Sequence, residues 1–150
     1  MLVVLCNIFK FYHVKASPMH EWALAEAIIA SVSEIAGKEG LVEVREVKIK
    51  VGELQQVELD VLKFALSELK TGIIKNAEFV IETVEAKLKC RVCGQEWGFS
   101  KNKLDAESME AIHFVPETAY AYIKCPRCGS PDFEILEGRG VWLESIKGVK

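Results

Sequence analysis

The sequence predicts an α+β fold: a small sheet of about three strands covered by two helices, with a cysteine-stapled module inserted into it. Three observations carry this. Residues 19–36 and 58–70 repeat apolar side chains at helical spacing. Stretches near 41–51, 77–88 and 133–146 carry the β-branched alternation of half-buried strands. Two C-x-x-C-G turns, Cys90-Arg91-Val92-Cys93-Gly94 and Cys125-Pro126-Arg127-Cys128-Gly129, lie between the last two of these stretches.

Taken in order, the chain opens with an apolar run, Leu2 to Phe9. It lacks a basic segment in front, and Lys10 and Lys15 lie on the wrong side of it for a secretion signal. Residues 1–18 therefore read as an extra edge strand or as an upstream extension that the working protein does not carry. Cys6 within them reads as an unpaired thiol, and His13 is given no role. From Met19 to Ala36, Leu24, Ile28 and Val32 form one stripe with Ala25, Ile29 and Ala36 beside it, while Glu21, Glu26 and Glu34 face water. Gly37 and Gly40 bracket the stop.

Val47, Ile49 and Val51 then alternate with Lys48 and Lys50, as in a strand with one buried face. Val42 and Val44 are on the opposite parity, which predicts a bulge or bend near Arg45-Glu46. After a connector at 52–56, a second helix from about Glu58 to Lys70 buries Val61, Leu62, Ala65, Leu66 and Leu69. One strand from about Ala77 to Leu88 runs straight into Cys90. Between the knuckles, Trp97-Gly98-Phe99 reads as a short strand, Lys101–Glu110 as one or two helical turns, and Ala119–Ile123 as a strand leading in. Phe133–Ile135 and Val141–Ile146 close the chain as strands interrupted by Gly138-Arg139-Gly140. The three tryptophans, Trp22, Trp97 and Trp142, read as packing residues.

Each C-x-x-C-G turn puts two thiolates on one side of a tight loop, and the Gly permits the positive φ that turns backbone N–H groups toward sulfur. Two such knuckles supply Cys90, Cys93, Cys125 and Cys128 as a tetrahedral S4 set, the closed structural site of Zn2+ in a zinc-ribbon-like module. Zinc in so small a module contributes on the order of 10 kcal/mol toward folding. A rubredoxin-like iron centre uses a similar ligand pattern, and sulfur ligation does not by itself separate the metals. Paired C-x-x-C units of this kind belong to a reducing compartment, so the expected location is the cytoplasm.

The domain reading is a leader at 1–18, an α/β domain from 19–88 plus 131–150, and the zinc module at 89–130. Formal net charge is −3 and 27% of residues are charged, which gives no support for general nucleic-acid binding. In the module itself Lys101, Lys103 and Lys124 are diluted by Asp105, Glu107, Glu110 and Glu117. No apolar run approaches the roughly 20 residues of a membrane span. There is no phosphate loop, H-E-x-x-H or serine elbow, and an S4 metal site has no open position, so an enzyme is not expected.

Met19-His20-Glu21 is the second constellation. A His at the start of a helix is commonly a capping or surface residue. Were Met19 the amino terminus, its α-amine, the His20 amide and ring nitrogens, and the Glu21 amide would give nitrogen donors in one plane. Such donors suit Ni(II) or Cu(II). His113, among Ala111, Ile112, Phe114 and Val115, reads either as a packed His with one satisfied ring nitrogen or as an added metal ligand. Glu53, Glu58 and Asp60 read as solvated carboxylates or as a partner-facing surface.

Met-His-Glu leading an Ala-rich helix, Val-Lys-Ile-Lys-Val-Gly-Glu-Leu at 47–54, Phe64 in the second helix, the two knuckles and Gly138-Arg139-Gly140 together resemble the HypA family of hydrogenase nickel-insertion proteins. The resemblance runs from Met19 to about Lys147. It implies a nickel-binding α/β domain and a zinc module. It also implies Ni2+ delivery to the [NiFe]-hydrogenase large-subunit precursor with the nucleotide-hydrolysing partner HypB, and leaves a homodimer open. By position, His20 is implied as the key nickel ligand, with main-chain nitrogens from Met19 and Glu21. The chain departs from the family in two ways. Met19 is internal, so its amine is an amide unless translation starts there, and the segment between the knuckles is long and contains His113. The readings outside this family are a zinc-ribbon nucleic-acid-binding module and a rubredoxin-like electron carrier.

Overall fold

A computed structural model describes residues 2–5, 10–11, 20–99, 105–114 and 122–150 of the chain. They fall into two compact units. The first draws on Met1–Lys50, Glu58–Glu82 and Val141–Lys150, the second on Val51–Val57 and Thr83–Gly140.

In the first unit, helix α1 (His20–Lys38) buries Leu24, Ala25, Ile28, Val32 and Ala36 of the stripe read from the sequence, while Ile29 is only half-buried and Ile35 joins the buried face. It closes where the Leu41 N–H bonds to the Ala36 carbonyl at 2.9 Å, beside Gly40 at φ +69°. Helix α2 (Leu59–Leu69) packs against α1 through Leu62, Ala65 and Leu66. Val61, expected on its buried face, is 41% exposed, and Leu69 is only half-buried. Phe64 is exposed as well, its ring edge-on to Trp22 with centroids 6.0 Å apart. The buried stripe of α2 is narrower than apolarity alone suggests, since Asp60, Val61, Lys63, Phe64, Ser67 and Glu68 are all exposed.

Glu21, expected in water, is instead buried, and its Oε1 accepts the Glu58 N–H at 3.1 Å. An orphan amide at the start of α2 is thus satisfied by a carboxylate from α1, which also sits favourably at a helix N-terminus.

The sheet of this unit has the order β1-β8-β3-β4, from β1 (Leu2–Leu5), β8 (Val141–Val149), β3 (Glu43–Gly52) and β4 (Glu78–Val84), and β2 (Lys10–Phe11) also pairs with β8. Three strands therefore come from the body of the chain, as expected. The segment before residue 19 adds two short antiparallel pieces, Leu2–Leu5 opposite Gly148–Ser145 and Lys10–Phe11 opposite Trp142–Val141. The edge-strand reading holds for these residues. Along β3 both Val44 and Val47 are fully buried with Arg45 exposed between them, so the inward phase shifts at Arg45-Glu46 as the parity change indicated. The outer charges pair: Lys50 with Glu82 and Glu144, and Lys147 with Glu46.

The second unit is a three-stranded sheet of order β6-β5-β7, formed by β5 (Lys87–Cys90), β6 (Glu96–Gly98) and β7 (Phe133–Glu137). Leu54, Ala86, Leu88 and Phe133 form its core, with Trp97, Phe99, Ile123 and Ile135 packed against them. It is more than the stretch 89–130, because residues 83–88, 131–140 and 51–57 belong to it too.

The single strand expected from Ala77 to Leu88 is two strands, broken at Glu85-Ala86. At the break the Ala86 N–H is taken by the Glu53 carboxylate at 3.2 Å, and Gly138 lies so close that a Cβ there would overlap the Ala86 backbone. The Gly138-Arg139-Gly140 turn is held by the same segment. Leu54 N–H donates to the Gly138 carbonyl at 2.9 Å, Gly52 N–H to the Gly140 carbonyl at 2.8 Å, and Gly140 N–H to Gln55 Oε1 at 3.0 Å. Glu53 is therefore a structural acceptor rather than a solvated carboxylate.

The helical turns expected at Lys101–Glu110 begin later and run longer, as α3 (Ala106–Phe114). Asp105 sets the start: its Oδ1 accepts the Ser108 N–H at 2.7 Å, an N-terminal cap that holds its carboxyl below the usual range. Of the strand expected at Ala119–Ile123, only Tyr122 and Ile123 are described, and neither is extended strand. Cys6 and His13 lie outside the described residues.

Candidate metal centre

β5 ends on Cys90, and the chain turns at once. Gly94 N–H returns to the Cys90 carbonyl at 3.0 Å with Gly94 at φ +77°, and Gly129 N–H returns to the Cys125 carbonyl at 2.9 Å with Gly129 at φ +75°. These left-handed positions cost glycine little and other residues more. Each turn aims amides at its leading sulfur. Val92 and Cys93 N–H lie 3.4 and 3.5 Å from Cys90 Sγ, and Arg127 N–H lies 3.4 Å from Cys125 Sγ.

A second tie joins the knuckles, and the sequence reading missed it. Arg91 N–H donates to the Asp132 carbonyl at 3.0 Å, while its guanidinium meets the Asp132 carboxylate at 2.9 Å. Arg91 sits inside the first knuckle and Asp132 shortly after the second, so only the opposite charges signalled the pairing.

All four sulfurs lie within 4.8 Å of one another, with Cys90–Cys128 and Cys93–Cys125 each at 3.6 Å, and all four cysteines are free. A tetrahedron of thiolates about 2.3 Å from a zinc ion has edges of about 3.8 Å. The residues present fit the metal. The thiols also divide the protons unequally. The Cys93 amide, opposed by burial, brings Cys90 below the ordinary thiol range. Burial pushes the Cys125 thiol up, but the Cys128 and Arg127 amides and the neighbouring thiols outweigh it and bring it down to about 6. The Ser130 amide draws Cys128 down, yet burial and the sulfurs of Cys90, Cys93 and Cys125 push it up to about 12. Four thiolates this close need a cation, and such a cation would displace the last proton. A bound zinc would supply charge neutralisation and a crosslink between the knuckles.

Of the other expected site residues, His20 is the first residue of α1 in the first unit, and Glu21 follows it with the buried carboxylate described above. Met19 lies outside the described residues. His113 lies in α3, in the second unit.

Residues 19–148 match the family model described as "Hydrogenase/urease nickel incorporation, metallochaperone, hypA". The chain belongs to the HypA family. Its relatives include the "Hydrogenase maturation factor HypA" of Pyrococcus furiosus, 50% identical over 131 residues that cover 85% of this chain and 94% of that protein. The protein of the same name from Ignicoccus hospitalis is 35% identical over 133 residues, covering 86% and 96%. Among solved structures, "Solution structure of the Ni metallochaperone HypA from Helicobacter pylori" shares the fold with a TM-score of 0.57 at 18% identity, over 86% of this chain and 97% of that one. HypA membership makes the chain a hydrogenase maturation factor of the metallochaperone class. It disfavours the rubredoxin-like and nucleic-acid readings. Among the described residues no helix is long and apolar enough to cross a membrane.

Proposed function

We propose that this chain binds Ni(II) and delivers it to the [NiFe]-hydrogenase large-subunit precursor, working in the cytoplasm with a HypB-like nucleotide hydrolase and without catalysing a reaction of its own. The observation that carries the reading is the family match over residues 19–148, reinforced by the four-sulfur cluster inside that range. Zinc holds Cys90, Cys93, Cys125 and Cys128 together as a closed structural site, which leaves cargo to be bound elsewhere.

Nickel belongs at the start of α1, on the His20 ring and amide nitrogens with main-chain nitrogens of Met19 and Glu21. A side-chain role for Glu21 is disfavoured, because its carboxylate is committed to the Glu58 amide. The donor set is strongest when Met19 carries a free amine, since planar nitrogen coordination selects Ni(II). His113 is a candidate further ligand.

The test is a Ni(II) titration of four proteins: the chain starting at Met1, the chain starting at Met19, and each bearing His20→Ala. The expected order is tightest for the Met19 start, weaker for the Met1 start, and weakest for the two His20→Ala variants. Equal affinity in all four would rule out the α1 site. A His113→Ala variant with unchanged affinity would remove His113 from it.

A further inference from the structure

We infer that Cys128 is the point at which a small disulfide, the oxidised form of a low-molecular-weight thiol, enters the four-sulfur cluster, and that Cys90 completes the exchange and releases the metal. The inference rests on the zinc reading of these sulfurs and is independent of nickel delivery. The four thiols are not equally reachable. Cys90 and Cys125 are 1% and 3% exposed and Cys93 is half-buried, whereas Cys128 is exposed. Its neighbours Pro126, Arg127 and Gly129 are exposed as well. Hydrogen bonds do not make this distinction, since backbone amides face Cys90, Cys125 and Cys128 alike. Attack of a thiolate on a disulfide needs access to both sulfurs, so exposure selects Cys128.

The exchange balances within the cluster. The Cys128 thiolate attacks one sulfur of R–S–S–R, the S–S bond breaks, and RS⁻ leaves as the Cys128–S–S–R bond forms. Cys90 Sγ lies 3.6 Å from Cys128 Sγ, so the second nucleophile is already at hand. Its thiolate attacks the Cys128 sulfur, forms a Cys90–Cys128 disulfide and expels a second RS⁻. Two protein thiolates have then lost two electrons, and the small disulfide has gained them as two thiolates.

Disulfide sulfurs no longer bind a cation as thiolates, so only Cys93 and Cys125 remain as ligands, two short of a closed S4 site. Cys90 ends β5 and Cys128 belongs to the second knuckle, so the new bond joins the same two loops that the metal joins. The knuckles stay linked while the metal leaves, and a reducing thiol reverses both steps.

Treating the zinc-loaded full chain with glutathione disulfide tests this. Zinc release is followed with a chromophoric indicator, and adducts are located by peptide mass mapping, which reads Cys6 separately. The glutathione adduct should form on Cys128 before the other three cluster cysteines. The end product should be the Cys90–Cys128 disulfide, with the zinc in solution. Cys128→His keeps a fourth zinc ligand but no nucleophilic thiolate at the exposed position, so release should slow about tenfold or more. Cys93→His makes the same change at the half-buried position and should leave the rate within about twofold. A first adduct on Cys90, Cys93 or Cys125, equal rates in the Cys128→His and unmodified chains, or a final disulfide that omits Cys90 or Cys128 would each overturn the proposal. Elemental analysis of the starting protein tests the zinc reading by itself. A chain purified without zinc would overturn both readings, whereas zinc release not led by Cys128 overturns this one alone.

Discussion

The Glu53 carboxylate accepts the N–H of Ala86 at 3.2 Å, holding the chain at the point where one expected strand becomes two. Without that acceptor a part-buried amide loses its partner, at a cost of about 2 kcal/mol. Glu53→Ala should therefore lower the unfolding free energy of the zinc-loaded protein by about that amount, with Glu53→Gln losing less because the amide oxygen can still accept. Urea unfolding monitored by tryptophan fluorescence checks both.

Gly138 and Gly94 both have positive φ, at +93° and +77°, but differ in surroundings. A Cβ on Gly138 would overlap the Ala86 backbone, whereas Gly94 has nothing within 4 Å. Gly94→Ala should cost about 1–2 kcal/mol, the left-handed penalty alone. Gly138→Ala should cost clearly more, because backbone must also move. The difference in thermal midpoint between the two variants measures the steric part.

Zinc affinity should rise with pH. Cys128 holds its proton up to about 12 without a cation, so binding near neutrality releases at least that proton, and each released proton makes affinity about tenfold tighter per pH unit. As pH falls through about 6, Cys125 also takes up a proton, and the dependence steepens. Competition with a chromophoric chelator at several pH values reads the slope. Cys90→Ser or metal removal should unfold the β6-β5-β7 sheet, seen as loss of the environment of Trp97, whose ring packs 5.6 Å from that of Phe133.

A hydrogen bond from Lys50 holds the Glu82 carboxyl below its ordinary value of 4.5. A carboxylate with a depressed folded-state value stabilises fully above the unfolded value and loses that contribution as pH falls through the folded one. The stability difference between the unmodified chain and Glu82→Gln should be constant from pH 7 to about 5 and vanish in more acid solution. Chemical denaturation across that range, at low salt, tests the sign.

Features carried by local spacing were legible in the chain itself. The knuckles are two four-residue turns with glycine after the second cysteine, so their geometry follows from backbone rules that involve no distant partner. The stripe of α1 and the parity change in β3 are likewise periodicities of a single element, and the buried residues bear them out. The family resemblance drew on short motifs, two of which, at 47–54 and 138–140, turn out to be hydrogen-bonded to each other.

Tertiary structure decided what depends on long-range partners. Glu21 looks like a solvent-facing helix residue until the start of α2 presents an unsatisfied amide to it. Val61 looks buried until α2 is seen to bury only the narrow stripe of Leu62, Ala65 and Leu66. The break at Glu85-Ala86 follows from Glu53 and Gly138, both far away in sequence, and apolar alternation runs through it without a mark. The place of Leu2–Leu5 on β8 depends on strand order, which leaves that side of β8 open to pair with them. Periodicity reports which face of an element is apolar. What covers that face, or completes a hydrogen bond at its end, is a property of the assembled fold.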